Sequence, residues 1–225
     1  MRVVFATPTY TRPFDAYLAA LEASVPELDA AGIEHGTTFV TGSSYISWAR
    51  AALAAKFMAS DYDQLVYLDH DLSWSPRDLV RLLEPPGDVV AGLYRFKEDA
   101  ENYMGALEGD GAQVIRSDGC IAAVAVPAGF LRISRAAIER FREAYPELIF
   151  GPDNSYIDLF NHGAHEGKWW GEDYAFCRRW RAIGGEIWVI PDLSLTHHTT
   201  EKAYPGNYHE FLMHRPGGRK YVEAA

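Results

Sequence analysis

The chain alternates between two hydrophobic periods, and the switches between them mark out its elements. Apolar runs at residues 3–6, 36–40, 65–68, 89–94, 120–126 and 186–190 have the length and composition of strands, the central ones buried on both faces. Helical spacing fills the stretches between. Leu18, Leu21, Val25 and Leu28 share one face of a helix that starts near Asp15, is interrupted at Pro26 and ends at Gly32. Ser44 caps a second helix carrying Ile46, Ala49, Leu53 and Phe57. Ser75 and Pro76 open a third, with Leu79, Leu82 and Leu83 inward, and Pro85-Pro86-Gly87 stops it. A short run ending at Ile133 leads to Ser134, which caps a fourth helix with Ile138 and Phe141 inside. A fifth carries Phe176, Cys177, Trp180 and Ile183 and closes at Gly184-Gly185.

Residues 104–115, around Gly109-Asp110-Gly111, read as a hairpin, and 150–171 as a long loop. Strands interleaved with helices predict a single α/β domain whose mixed, mostly parallel central sheet is flanked by helices. That domain takes residues 1–200. Residues 201–225, with Arg215-Pro216-Gly217-Gly218-Arg219-Lys220 near the end, read as a C-terminal tail or lid.

Composition narrows the class. A chain of 225 residues, 48% apolar and 23% charged, builds one sizeable globular domain with no disordered half. A net charge of -10 disfavours a general polyanion binder, although Arg178, Arg179 and Arg181 form a local basic cluster. Cys120 and Cys177 fall within apolar patterns, as small buried hydrophobes do, and fit a cytoplasmic setting. The N-terminus runs directly into a strand, so neither a signal peptide nor a membrane span is expected.

Candidate chemistry gathers at strand ends. The run Leu65-Val66-Tyr67-Leu68 finishes in Asp69-His70-Asp71, and α/β sheets bind ligands beyond the carboxyl ends of their strands. Two carboxylates there form a hard site for Mg²⁺ or Mn²⁺ against phosphate oxygens, although Asp-x-Asp is also a turn signal. Thr7-Pro8-Thr9-Tyr10 closes the first strand on the same rim, as a nucleotide contact or a plain turn. Arg50, on the buried side of its helix, calls for an anionic partner, either a structural carboxylate or a ligand phosphate. Arg95 and Lys97 sit in a loop after a strand, where a cation meets a diphosphate or only water.

Glu172 and Asp173 occupy the first turn of the fifth helix, which suits capping. The spacing of Asp173 to Phe176 and Trp180 turns its carboxylate inward, as a candidate base. His197-His198 follows the last strand, and a histidine can complete an aspartate site for Mn²⁺. Gly129 fits a place where backbone must approach closely.

In this order, Thr-Pro-Thr-Tyr at a first strand, Asp-x-Asp at a strand end, Gly171-Glu172-Asp173 at a helix start and a late histidine, the chain resembles a GT-A-type glycosyltransferase. It is most similar in pattern to the small family 2-like enzymes, including viral and phage-encoded ones. The resemblance implies a Rossmann-like GT-A domain. It implies that Asp69 lies near the ribose and metal, that Asp71 ligates the metal on the diphosphate, and that His197 is a further ligand, with His198 or His70 as alternatives. Thr7, Pro8, Thr9 and Tyr10 would line the nucleotide pocket, with Arg12, Arg50 and Lys97 as anion partners. Asp173 would be the general base of an inverting transfer, with Glu172 as alternative base or acceptor partner.

The implied cofactor is Mn²⁺ or Mg²⁺ and the implied donor a nucleotide-sugar, UDP by family habit. The acceptor hydroxyl is left open among glycan, protein, small molecule and modified DNA base. A sugar-phosphate nucleotidyltransferase would show a glycine-rich basic loop where Thr7–Arg12 stands. A nonenzymatic carbohydrate-binding or assembly protein would not need Asp69, Asp71, Glu172 and Asp173 together.

Overall fold

Alternation within single strands decides which face each residue serves. In the first strand Val4 and Ala6 join one buried cluster while Val3 and Phe5 join another, and the central acidic strand repeats this with Leu65 and Tyr67 against Val66 and Leu68. A strand apolar on both sides belongs inside a sheet covered on both faces. The computed structural model, which describes residues 1–109, 112–214 and 220–223, shows that arrangement.

The chain runs β1 (Arg2–Thr9), α1 (Asp15–Ala30), β2 (Glu34–Thr41), α2 (Ile46–Met58), β3 (Gln64–Leu68), β4 (Leu72–Trp74), α3 (Asp78–Leu83) and β5 (Val89–Gly92). It continues through β6 (Ala106–Leu107), β7 (Ala112–Ile115), β8 (Ile121–Ala125), β9 (Phe130–Ser134), α4 (Arg135–Ala144), β10 (Ile149–Phe150) and β11 (Tyr156–Ile157). The remainder is β12 (Gly163–His165), β13 (Lys168–Trp170), α5 (Glu172–Ala182), β14 (Trp188–Ile190), β15 (Ser194–His198), β16 (Ala203–Asn207), α6 (Tyr208–His214) and β17 (Lys220–Glu223).

The central sheet has the order β17-β7-β8-β14-β5-β9-β3-β1-β2, with β6 on β8. It is mixed, as the pattern predicts. Pairing is parallel in β2–β1–β3, in β5–β14 and in β7–β17. It turns antiparallel where β9 lies between β3 and β5 and where β8 meets β14 and β7. Helices α2, α4 and α5 pack on one face through Leu53, Phe57, Ile138, Phe141, Phe176 and Trp180. On the other face, α1 and α3 contribute Tyr17, Leu28, Leu79 and Leu82.

Several elements depart from the sequence pattern. Helix α1 runs unbroken through Pro26, because Pro26 and Glu22, whose carbonyl loses its partner, both lie on the exposed side. Its inner face is Tyr17, Ala20, Ser24 and Leu28, whereas Leu18 and Val25 are exposed. The buried Ser24 is satisfied, donating to the Ala20 carbonyl and accepting from Trp74 Nε1. Helix α2 starts after Tyr45 without a side-chain cap, so Ser44 does not serve as its N-cap. The 150–171 stretch carries two short two-stranded sheets, β10–β11 and β12–β13.

Residues 203–214 continue the fold, since β16 pairs with β15 and Tyr208 and Leu212 enter the main core. Of the basic run near the C-terminus, 215–219 lie outside the described residues, as does the Asp110-Gly111 turn. Both cysteines are buried and unpaired. Among the described residues no helix is long and apolar enough to cross a membrane.

Candidate active site

Strand alternation sends Leu68 to one face and Asp69 to the opposite one, toward α2 and α5. Two backbone bonds fix this turn, Asp69 N–H to the Gly129 carbonyl at 2.9 Å and Leu72 N–H to the Asp69 carbonyl at 3.1 Å. A Cβ on Gly129 would run into the Asp69 carboxylate and the Tyr94 hydroxyl, so the strand end and the β8–β9 turn approach this closely only with glycine there.

Arg50 organises the acids. Its side chain is 2% exposed, and Nη2 donates to Asp69 Oδ1 at 3.0 Å while Nη1 donates to Glu172 Oε1 at 3.0 Å and Asp173 Oδ1 at 3.1 Å. The guanidinium lies 5.1 Å from the centroid of the Phe160 ring, and Tyr67 Oη donates to the Arg50 carbonyl at 2.8 Å. Burial works to lower its pKa, but the three carboxylates overcome that and raise it. Helix α5 starts at Glu172, which places both of its acids over this cation.

The two α5 acids are driven apart. Burial and the neighbouring charges of Glu172 and Asp69 outweigh Arg50 at Asp173 and raise its pKa to about 7. Glu172 is also penalised by burial, but Arg50 wins there and its pKa is lowered. Asp173 Oδ2 accepts from Ala128 N–H at 3.2 Å. A carboxylate poised near neutrality beside one that stays ionised is the pattern of a general base with a structural partner. Tyr94, buried with its pKa raised, keeps its proton and donates to Asp69 Oδ2 at 3.3 Å.

Asp71 belongs to a second cluster. The small sheet β16-β15-β4 pairs His197 with Leu72, bringing His197 Nε2 to 3.5 Å from Asp71 Oδ2. His197 Nδ1 lies 2.9 Å from the Arg95 carbonyl oxygen, which can only accept, so Nδ1 carries the proton and Nε2 faces Asp71. Lys97 Nζ also bonds Asp71 Oδ2. Burial works against the Asp71 charge, but His197 and Lys97 prevail and hold its pKa far below the usual carboxylate range. Beside this cluster a cleft of about 440 Å³ opens between the Lys97 loop and the β15–β16 turn.

The structure thus brings together Arg50, Asp69, Glu172 and Asp173, and separately Asp71, His197 and Lys97. Asp69 is committed to Arg50 and Tyr94 rather than to His197. His198 turns away to Ser73, with Nε2 at 2.7 Å from Oγ, and His70 packs against Phe14. Thr7 and Pro8 are buried in β1, Thr7 against the Tyr17 hydroxyl. Thr9 Oγ1 is buried with no partner, and Tyr10 is 66% exposed. Arg12 pairs with Asp15 at the start of α1. Sequence spacing gave no sign of Phe160 and Tyr94, whose contacts with the site come from distant parts of the chain.

No protein-family model and no curated protein matches the chain. Among solved structures it is similar to the catalytic domain of Drosophila beta1,4-galactosyltransferase 7 in complex with xylobiose, at 16% identity over 84% of this chain and a TM-score of 0.46. It spans 64% of that chain's length. A mutant of the same Drosophila enzyme with manganese, UDP-Gal and xylobiose matches at 15% identity over 93% of this chain and 74% of that one, with a TM-score of 0.47. S. aureus TarS with UDP-GlcNAc matches at 13% identity over 100% of this chain and 59% of that one, with a TM-score of 0.46. Identities this low, with TM-scores below 0.5, assign neither a reaction nor a substrate here.

Proposed function

We propose that the chain is a metal-dependent glycosyltransferase of GT-A type, moving a sugar from a nucleotide-sugar, with UDP as the favoured nucleotide, to an acceptor hydroxyl with inversion. The observation that carries this reading is the assembly on Arg50 of Asp69, Glu172 and Asp173, each within 3.1 Å, beside the Asp71–His197 pair. Elements far apart in the chain converge to make it, and a buried guanidinium holding three carboxylates exceeds what packing needs.

The residues around Asp71 fit a divalent cation. The Asp71 carboxylate and His197 Nε2 face each other, and a carboxylate with an imidazole nitrogen is a donor set that suits Mn²⁺, or Mg²⁺ with more oxygen ligands. Among the described residues no third histidine, cysteine or acid joins them, so diphosphate oxygens and water would complete the shell. A cation held there would neutralise the charge that develops on the departing nucleoside diphosphate. Lys97 adds a positive charge on the same side.

Asp173 takes the acceptor hydroxyl's proton as that oxygen bonds to the anomeric carbon and the bond to the diphosphate oxygen breaks. Arg50 and the Ala128 N–H each occupy one lone pair on Asp173 and fix its direction, leaving others for the proton. Glu172, held ionised, keeps Arg50 charged and orients the acceptor.

The test is a thermal-shift panel of UDP-, GDP-, dTDP- and CMP-sugars with Mn²⁺ or chelator, on the wild type and Asp71→Ala. One nucleotide should raise the melting temperature in a metal-dependent way that the variant loses. A folded wild type that shifts with none of them overturns the reading.

A further inference from the structure

A large hollow lies outside the acidic centre. It occupies about 1120 Å³ along the outer side of α5, between that helix and the β8–β14 end of the sheet. We propose that this groove receives the acceptor, and that Arg178 selects one carrying a carboxylate or phosphate group; the proposal rests on the glycosyltransferase reading.

Position comes first. Tyr174, Arg178 and Arg181 follow one another at helical spacing and line the groove, while Asp173, one residue before Tyr174, points the other way into the acidic cluster. The groove therefore ends within one turn of the candidate base. Tyr174 is a fixed wall there, because its hydroxyl accepts from Gly105 N–H at 3.0 Å. Helix α5 has 11 residues, which sets a length of about 16 Å.

Charge then narrows the ligand. Arg181 is neutralised by Glu108 at 2.6 Å, and Arg116 by Asp118 while it stacks on Trp188. Glu186 sits at the far end of the groove, where its Oε2 accepts from Trp188 Nε1. Arg178 differs from both of these arginines. Its guanidinium lies 5.5 Å from the Trp170 ring centroid, it makes no ion pair among the described residues, and its Nε is buried without a partner. Stacking fixes the plane of the guanidinium but leaves its in-plane N–H groups unused, and a carboxylate or phosphate matches that fork. In a chain of net charge -10, an uncompensated cation beside the reaction centre runs against the general field.

The experiment is calorimetric titration of the wild type with a hyaluronan tetrasaccharide, glucose 6-phosphate and neutral chitotetraose, repeated on Arg178→Gln and Arg178→Lys. One anionic probe should bind at least tenfold tighter than chitotetraose, and which one does so separates a uronate from a phosphate. Arg178→Gln should erase the preference and Arg178→Lys restore part of it, with the melting temperature and the metal-dependent donor shift unchanged in both. Equal binding of charged and neutral probes, no binding of any, or a preference that survives Arg178→Gln overturns the proposal. A wild type that binds an anionic probe but shows no donor shift keeps the anion site and removes the transferase reading instead.

Discussion

Arg50 and Arg132 are both buried, at 2% and 3% exposure, and both leave Nε without a partner, yet they are satisfied in opposite ways. Arg132 donates to the carbonyls of Leu83, Pro85 and Gly87 at 2.8–3.0 Å, tying β9 to the end of α3. Burial lowers its pKa to about 10 and outweighs the opposing charge of Asp88, which is not among its hydrogen-bond partners. Arg50 meets three carboxylates, and its pKa rises despite the same burial. Carbonyls do not titrate, so the first arrangement is a staple. Carboxylates do, so the second concentrates groups that can take up a proton, and on the proposed reading one of them activates the acceptor hydroxyl. What separates a structural arginine from a functional one is the chemistry of its acceptors, not its depth.

The largest effect follows from removing Arg50. Arg50→Met leaves three acids without their cation, and loss of one partner of a buried ion pair costs about 3–5 kcal/mol. The remaining carboxylates then raise one another's pKa, so the folded state binds more protons than the unfolded state and stability recovers as pH falls from 8 to 5. Urea unfolding at the two pH values measures this, and a deficit equal at both would break the comparison. Transfer should be undetectable at either pH.

Asp173→Asn tests the same cluster from the acid side. Removing a general base lowers kcat by about 10²–10⁴-fold, while donor binding stays. In the wild type the base must be deprotonated, so activity should rise with pH through about 7. A limb at or below the usual glutamate range would mean that Glu172, whose pKa is lowered chiefly by Arg50 against its burial, does the work.

The sheet and the rim of the site were legible in the chain because both arise from local pattern: apolar strands closed by Asp69 and by Thr9 and Tyr10, and a helix opened by Glu172 and Asp173. Arg50's burial was legible as well, from its place in the α2 pattern. Its partners were not, since Glu172 and Asp173 lie 122 and 123 positions away and spacing carries no information across such a gap. His197 and His198 are equal in sequence. The register of β15 on β4 distinguishes them, turning His197 to Asp71 and His198 to Ser73. Pro26 misleads because a helix tolerates proline where the orphaned carbonyl reaches water. Arg178 looked like part of a basic cluster until the fold paired Arg181 with Glu108 and left Arg178 on Trp170.

Arg132→Met sharpens the contrast from the staple's side. Leaving buried carbonyls unmatched costs about 1–3 kcal/mol, and none of the hydrogen-bond partners titrates. Its stability deficit should therefore be the same at pH 5 and pH 8, and kcat should not change. A pH-dependent deficit would show that the Asp88 charge, and not the carbonyls alone, matters to Arg132.

The smallest effect belongs to Lys97, at the edge of the other cluster. Its ammonium bonds the Asp71 oxygen that also faces His197, so on the proposed reading a divalent cation and Lys97 compete for one carboxylate. Lys97 is 35% exposed, and pairs of that kind contribute about 0.2–1 kcal/mol. Lys97→Met should accordingly tighten Mn²⁺ binding by no more than about fivefold, read by electron paramagnetic resonance of the free ion. It should weaken UDP binding in the presence of Mn²⁺, because the displaced ammonium would otherwise meet the diphosphate. The two changes have opposite signs, but simple charge would give the same pair, so the Asp71→Asn background is what separates displacement from charge. A lysine that only added positive potential would raise UDP affinity and repel Mn²⁺ without touching Asp71, so Asp71→Asn would leave its effect on Mn²⁺ intact. If Lys97 acts through Asp71, then in an Asp71→Asn background Lys97→Met should change Mn²⁺ binding little.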